Sequence, residues 1–317
     1  MKAVLLSLIN MTEQDIDTLS PYYEIISVQS PDEGLALAQE TLQRVEALFG
    51  SATKQISHEF LDALTNLKVI SSFGVGFDPY DEAYIRGRKI RLGYTPDVLN
   101  DCVADLAFAL LLDCARQVSA SDRYVRAGRW ASEGPFPLGT QVSAKRLGIV
   151  GLGRIGIEIA ERAKGFRMEI LYHNRKPRTD VPYRYVDSLL GLAEQSDFLV
   201  VATPGGPDNA KLINQAVFEA LGSEGYLINI ARGVVVDEDD LVKALENKTI
   251  AGAGLDVFLN EPHVPEALFK LDNVTLSSHI ASATVETRNA MRNLAIENFL
   301  HFRQHGEVKV AVPWANY

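Results

Sequence analysis

Arg232, Glu261 and His279 are residues whose types, taken together, suit acid–base chemistry on an anionic substrate. Arginine grips a carboxylate with a planar fork of donors, and histidine changes charge near neutral pH. A carboxylate beside the histidine favours the imidazolium and fixes its tautomer. Singly, each reads equally well as a surface cation, a turn acid or a satisfied loop histidine. Placement is what groups them: Arg232 follows the apolar run Tyr226–Ile230, Glu261 stands in Asn-Glu-Pro, and His279 follows Val274–Ser278. In open α/β sheets these strand ends face the ligand. The set fits reduction of a carbonyl next to a carboxylate, with the cation for the carboxylate and the histidine for the alkoxide proton.

Reduction needs a hydride source, and Gly151-Leu152-Gly153-Arg154-Ile155-Gly156 offers a place for one. Alone, that glycine spacing is a weak signal that a plain tight turn would also give. Here it follows the apolar run Leu147–Val150 and opens the helical run Ile155–Ala163, the setting of a dinucleotide pyrophosphate site at a helix N-terminus. An NAD-preferring site places an acid about 20 residues on, to bind the ribose 2′-hydroxyl. The second strand ends instead in His173-Asn174-Arg175-Lys176, with two cations and no carboxylate. Arg175 can fork onto a 2′-phosphate and Lys176 can add a point charge, so the expected cofactor is NADP(H) rather than NAD(H). A solvated basic loop is the alternative.

Two α/β series must position these residues. The first alternates the runs Lys2–Leu8, Gln14–Leu19, Tyr23–Val28, Asp32–Leu42, Val45–Phe49, Ser57–Leu64 and Leu67–Ser71, and halts in the loop Gly74–Pro79. A helical pattern runs from Asp101 to about Gly128, followed by a Gly/Pro-rich loop over Gly134–Thr140. The second series reads as strands at 146–150, 168–173, 197–202, 225–230, 251–255 and 274–277, with helices at 154–164, 187–195, 214–221 and 237–246 between them. A last helix over Val285–His305 can return to the first series. The expected fold class is α/β, with two Rossmann-like or flavodoxin-like domains of parallel sheet and a cofactor cleft between them. The expected domains are 1–100 plus 285–317 for substrate and 101–284 for the dinucleotide.

Bulk properties narrow the partners. A chain of 317 residues suits two domains, and 47% apolar with 23% charged residues is a globular composition. The net charge of -10 argues against nucleic acid. The longest mostly apolar stretch, Val103–Ala115, carries Asp105 and Asp113 and is short for a membrane span. Cys102 and Cys114 lack the spacing of a zinc or redox pair, and no metal site is expected. The start of the chain lacks a signal-peptide pattern, so the cytoplasm is the expected compartment.

In order, Ser-Phe-Gly-Val-Gly-Phe-Asp (72–78), Thr-Pro-Asp-Val-Leu (95–99), Val-Ala-Asp-Leu-Ala (103–107), the glycine turn (151–156), Ile-Asn-Ile-Ala-Arg-Gly (228–233), Gly-Ala-Gly-Leu-Asp-Val-Phe (252–258), Glu-Pro (261–262) and His-Ile-Ala-Ser (279–282) span nearly the whole chain. That set resembles the D-isomer-specific 2-hydroxyacid dehydrogenases, and within them the NADP-dependent glyoxylate/hydroxypyruvate and hydroxyphenylpyruvate reductases. The resemblance implies a catalytic Arg232–Glu261–His279 triad, with the main-chain N–H groups of Val75 and Gly76 on the substrate carboxylate. It also implies contact of Asp256 with the nicotinamide carboxamide and of Arg154 and Ile155 with the pyrophosphate. Leu152, Asn174, Thr203, Ile230, Ala231 and His279 complete the expected cofactor contacts, and Arg288 is a further candidate for the substrate, approaching from the cofactor side. Family members are usually homodimers joined through the cofactor domain, with the helix from Asp101 as an interface element.

Two departures stand out: Ser278 where the family usually has proline, which removes a φ restraint before His279, and Gly205-Gly206-Pro207 after the strand 197–202. His301 and His305 have the spacing of a metal pair without an evident third ligand and read as surface residues. Trp130 and Phe136 are candidate apolar substrate contacts, and ordinary packing is an equal reading. The expected activity is NADPH-dependent reduction of glyoxylate and hydroxypyruvate to D-2-hydroxy acids. The alternatives are an aryl-pyruvate or 2-keto sugar-acid reductase and a non-catalytic, dinucleotide-sensing module like the family-related corepressors.

Overall fold

In the computed structural model, which describes residues Lys2–Ala315, the apolar runs pair as parallel strands in two separate sheets. The chain divides into one unit of residues up to Leu99 with those from Thr284 onward, and a second of Asn100–Ala283.

The first unit runs β1 (Ala3–Ser7), α1 (Glu13–Leu19), β2 (Tyr23–Ser27), α2 (Pro31–Leu35), α3 (Gln39–Leu42), β3 (Val45–Ser51), α4 (His58–Ala63), β4 (Val69–Phe73), α5 (Glu82–Gly87) and β5 (Arg91–Gly93). Its strand order is β2-β1-β3-β4-β5, the flavodoxin-like order. Leu6, Leu48, Phe60, Ile70 and Leu92 are fully buried in one core, as expected of parallel strands covered on both faces.

The second unit runs α6 (Asn100–Arg116), α7 (Val118–Arg126), α8 (Arg129–Glu133), β6 (Arg146–Val150), α9 (Arg154–Gly165), β7 (Glu169–His173), β8 (Arg184–Tyr185), α10 (Leu189–Glu194), β9 (Phe198–Val201), α11 (Gln215–Leu221), β10 (Tyr226–Asn229), α12 (Glu238–Glu246), β11 (Gly252–Leu255) and β12 (Val274–Leu276). The order β12-β11-β10-β9-β6-β7-β8 is the Rossmann arrangement extended by one strand. It reverses direction between β6 and β9, which places the turn after β6 at the topological switch point. Leu171, Leu199, Phe218, Leu227 and Ala253 form its core.

A final helix, α13 (Val285–His305), packs on β4 in the first unit. There Ser71 Oγ donates to the Ala295 carbonyl (2.9 Å), and Asn298 Nδ2 donates to the Tyr94 carbonyl (3.3 Å).

Several expected elements differ. The helix expected from Asp101 to Gly128 is broken, because Gln117 is left-handed (φ 52°). Asp113 explains the break: its carboxylate accepts from the Ser119 N–H (2.6 Å) and the Thr275 hydroxyl (2.9 Å), so it caps a new helix instead of letting the first continue. The helical run Asp32–Leu42 is split at Ala38, whose ψ of 139° is extended. The short elements α5, β5 and β8 lie outside the sequence pattern, since strands of three and two residues leave too little alternation to detect. No described helix is long and apolar enough to cross a membrane.

Candidate active site

Gly151 opens the turn after β6 with φ 95°, and a Cβ there would lie 2.8 Å from the Thr203 nitrogen. A Cβ on Gly156 would lie 2.4 Å from the Gly151 carbonyl oxygen. Both glycines are thus required by the protein's own backbone. Gly153 is not: its φ is -88°, and a Cβ there would meet nothing within 4 Å. Open space above a helix N-terminus that carries no side-chain cap is where a pyrophosphate fits, so the turn passes as a dinucleotide site on its own geometry.

The neighbouring loop is tied to this turn. Asn174 Oδ1 accepts from the Leu152 N–H (2.7 Å), while Arg178 Nη1 donates to the Leu152 carbonyl (3.0 Å) and its Nε to Asp180 (2.9 Å). Arg178 was not legible as part of the site, because its partner is a main-chain carbonyl 26 residues away. Arg175 and Lys176 are exposed between these two anchors. Thr203 accepts from Asn209 Nδ2 (3.4 Å), which closes the loop holding Gly205-Gly206-Pro207, and Ile230 and Ala231 are buried at the end of β10.

Past the C-terminal ends of β11 and β12, on the same edge of the sheet as the glycine turn, the expected acid–base pair meets. His279 Nδ1 and Glu261 Oε2 are 2.7 Å apart, with the two side chains 27% and 30% exposed, so the pair is shielded yet reachable. Glu261 Oε1 also accepts from the Phe258 N–H (3.1 Å). Burial alone would raise the Glu261 pKa. The His279 hydrogen bond, the Phe258 N–H, and the charges of His279 and Arg232 outweigh it, so the carboxyl is held below its ordinary value. Arg232 itself donates from Nη1 to the Ala231 carbonyl (2.8 Å).

His279 has φ 54°, a left-handed conformation that costs a non-glycine residue roughly 1–3 kcal/mol and is kept only where surroundings impose it. Asp256 imposes it. Its main-chain carbonyl accepts from the His279 N–H (2.9 Å), and its fully buried carboxylate accepts from the Ile280 and Ala281 N–H groups (2.8 and 2.9 Å) and the Ser277 hydroxyl (2.7 Å). These bonds brace the histidine loop with Ser278, not proline, ahead of it.

The remaining sequence-predicted residues lie in the first unit or apart from the triad. Val75 and Gly76 follow β4 on a loop fixed by Thr95, whose Oγ1 accepts from the Gly74 N–H (3.0 Å) and whose N–H donates to the Gly74 carbonyl (2.9 Å). That exchange accounts for the threonine at 95. The N–H groups of Val75 and Gly76 find no acceptor among the described residues. Arg288 stands on α13 in the first unit, with its guanidinium 5.5 Å from the centroid of the Phe73 ring, immediately before that loop. Phe136 packs edge-on against Tyr124 at 5.3 Å, whereas Trp130 is 64% exposed. His301 Nδ1 lies 2.8 Å from the Glu307 carbonyl, and no metal-binding group occurs among the described residues.

Comparison with known proteins places this geometry in a lineage. Residues 108–281 match the model of the D-isomer specific 2-hydroxyacid dehydrogenase NAD binding domain. The chain is 43% identical over 285 residues to a glyoxylate/hydroxypyruvate reductase A of Arabidopsis thaliana, covering 90% of this chain and 91% of that one. It is 44% identical over 291 residues to a hydroxyphenylpyruvate reductase of Plectranthus scutellarioides, covering 92% of each. An NADPH-dependent glyoxylate/hydroxypyruvate reductase of Sinorhizobium meliloti, solved with NADP and malonate, superposes with a TM-score of 0.94 at 39% identity, over 100% of this chain and 98% of that one. With a glycine turn that fits a dinucleotide, a histidine–glutamate pair beside an arginine, and likeness along the whole chain, the protein belongs to the D-isomer specific 2-hydroxyacid dehydrogenase family, on its NADP-dependent glyoxylate/hydroxypyruvate reductase branch.

Proposed function

We propose that the protein reduces small 2-keto acids, glyoxylate and hydroxypyruvate foremost, to D-2-hydroxy acids with NADPH. The observation that carries this reading is the His279–Glu261 pair at 2.7 Å, with Glu261 held ionised and Arg232 within electrostatic reach. When bound, NADPH supplies a hydride to the substrate C2. Glu261 stays ionised and accepts a hydrogen bond from Nδ1–H of the His279 imidazolium, and the Nε2 proton passes to the nascent alkoxide, leaving a neutral imidazole. Arg232 binds the substrate carboxylate and polarises the carbonyl, with the Val75 and Gly76 N–H groups and Arg288 as further carboxylate donors. The first unit thereby serves the substrate and the second the dinucleotide, held at residues 151–156 with Thr203, Ile230, Ala231 and Asp256 alongside. Arg175 and Lys176 receive the 2′-phosphate. The protein works as a cytoplasmic homodimer joined through the second unit.

The test is NADPH oxidation with glyoxylate, hydroxypyruvate, hydroxyphenylpyruvate and 2-ketogluconate, by wild type and His279→Gln. Glyoxylate and hydroxypyruvate are expected to give the highest kcat/KM, and H279Q to lose about a hundredfold or more. Full activity in H279Q would remove the acid assignment, and no turnover of any keto acid despite NADPH binding would favour a sensing module. Near-equal identity to the hydroxyphenylpyruvate reductase supports a second reading, an aryl-pyruvate reductase with the same pair, which the panel separates.

A further inference from the structure

Glu261 and Arg232 sit on different loops, and something must register one on the other. Two contacts do so. A Cβ on Gly233 would lie 2.0 Å from the Phe258 carbonyl carbon and 2.3 Å from the Leu259 nitrogen, so the backbone just after Arg232 rests directly on the backbone just before Glu261. The other contact is a side chain: the Leu259 N–H donates to Glu238 Oε1 at 2.6 Å. Glu238 is the first residue of α12, joined to Arg232 by a short 3-10 turn at Gly233–Val235. The path from cation to carboxylate thus runs Arg232, the turn, Glu238, Leu259, Glu261. We propose that Glu238 is a positioning residue of the reductase, locking the loop that carries Glu261 to the segment that carries Arg232 so that the carboxylate meets His279 in working register.

The inference rests on the acid–base reading given above and adds a residue to it. Its placement is electrostatically unfavourable, since Glu238 is partly buried beside two other acids. Burial first, then the charges of Asp239 and Glu261, raise its pKa, while the Leu259 N–H opposes them. The neighbouring Asp237 is already paired with Lys211 at 2.9 Å, and Glu261 faces His279 and Arg232. Helix capping does not require Glu238 either, because Asp237 caps α12 by accepting from the Asp240 N–H. What remains for the side chain is its grip on Leu259.

The test compares Glu238→Asp, Glu238→Ala and Glu238→Gln in the full-length enzyme, with NADPH binding and thermal unfolding measured alongside. Aspartate keeps the charge but is one methylene too short to reach Leu259, whereas glutamine keeps the acceptor oxygen and loses the charge. Loss of position predicts kcat with glyoxylate down about tenfold or more in E238D and E238A, recovery to within about threefold of wild type in E238Q, and NADPH affinity within about twofold throughout. A residue that merely stabilised the fold would scale the pH profile. Displacement of Glu261 from His279 instead moves the alkaline limb of kcat in E238D toward lower pH, because the imidazolium loses its carboxylate. Wild-type kcat in E238D, an unmoved limb in E238D, or E238Q as slow as E238A would each overturn the proposal. Glu261→Gln keeps the two readings apart: full activity in E261Q removes the acid–base assignment itself, whereas a slow E261Q with a wild-type E238D removes only the role of Glu238.

Discussion

Gly153 and Gly156 stand three residues apart in one turn, yet they are glycine for different reasons. A methyl on Gly156 would press on the Gly151 carbonyl oxygen at 2.4 Å, and backbone cannot yield as a side chain would. A methyl on Gly153 would enter open space. Gly156→Ala is therefore expected to lower stability by about 1–3 kcal/mol, read by chemical denaturation. Gly153→Ala should stay within about 0.5 kcal/mol of wild type while weakening NADPH binding at least about tenfold, by crowding the pyrophosphate. Wild-type affinity in G153A would mean that the phosphates lie elsewhere. The same contrast explains what was legible at this scale. Gly151, Gly153 and Gly156 advertise themselves by spacing, and Arg232, Glu261 and His279 by standing in loops after apolar runs. Asp256 and Glu238 brace main-chain N–H groups 21 to 25 residues away, and no local pattern announces such bonds.

Among the elements, the segment from β7 to β8 is anchored to the glycine turn. Asn174 and Arg178 hold the N–H and carbonyl of Leu152, and the Arg178 N–H donates to the Tyr172 hydroxyl (2.8 Å), so the segment is pinned at both ends with Arg175 and Lys176 outward. Two arginines three residues apart should then fail differently. Arg175→Ala is expected to raise the Kd of NADPH about tenfold or more and leave NADH within about twofold, because it removes only a charge-assisted contact to the 2′-phosphate. Arg178→Met should weaken both cofactors by similar factors, since it releases the turn that both share. Fluorescence titration with each cofactor checks both, and equal losses in R175A would refute the phosphate role. Elements with strong periodicity were readable: α13 begins and ends where the sequence pattern places it, capped by Thr284 and stopped at Gly306. The break at Gln117 was not, because it depends on Asp113 finding Ser119 and, from a distant strand, Thr275.

At the scale of the molecule, the second unit carries apolar surface that a monomer would leave in water. Leu138 is 98% exposed, Trp130 64%, Val118 59% and Val125 50%, and all four lie on α7, α8 and the segment that follows. Burying each fully is worth about 1.5–3 kcal/mol, so together they can drive association. Two chains of net charge -10 repel each other, however, and the association must overcome that repulsion. The sign of the salt effect follows: added salt screens the repulsion and leaves apolar burial in place, so the dimer should tighten between low and moderate ionic strength. Sedimentation velocity on the wild type is expected to show a dimer at micromolar concentration whose dissociation constant falls as salt is added. Val125→Asp with Leu138→Asp should give a folded monomer, because Leu138 is already in water and Val125 half so, and their replacement costs the isolated fold little. A dimer that loosened with salt would place ion pairs, not this apolar surface, at the contact, and a wild-type monomer at tens of micromolar would leave Leu138 to some other ligand.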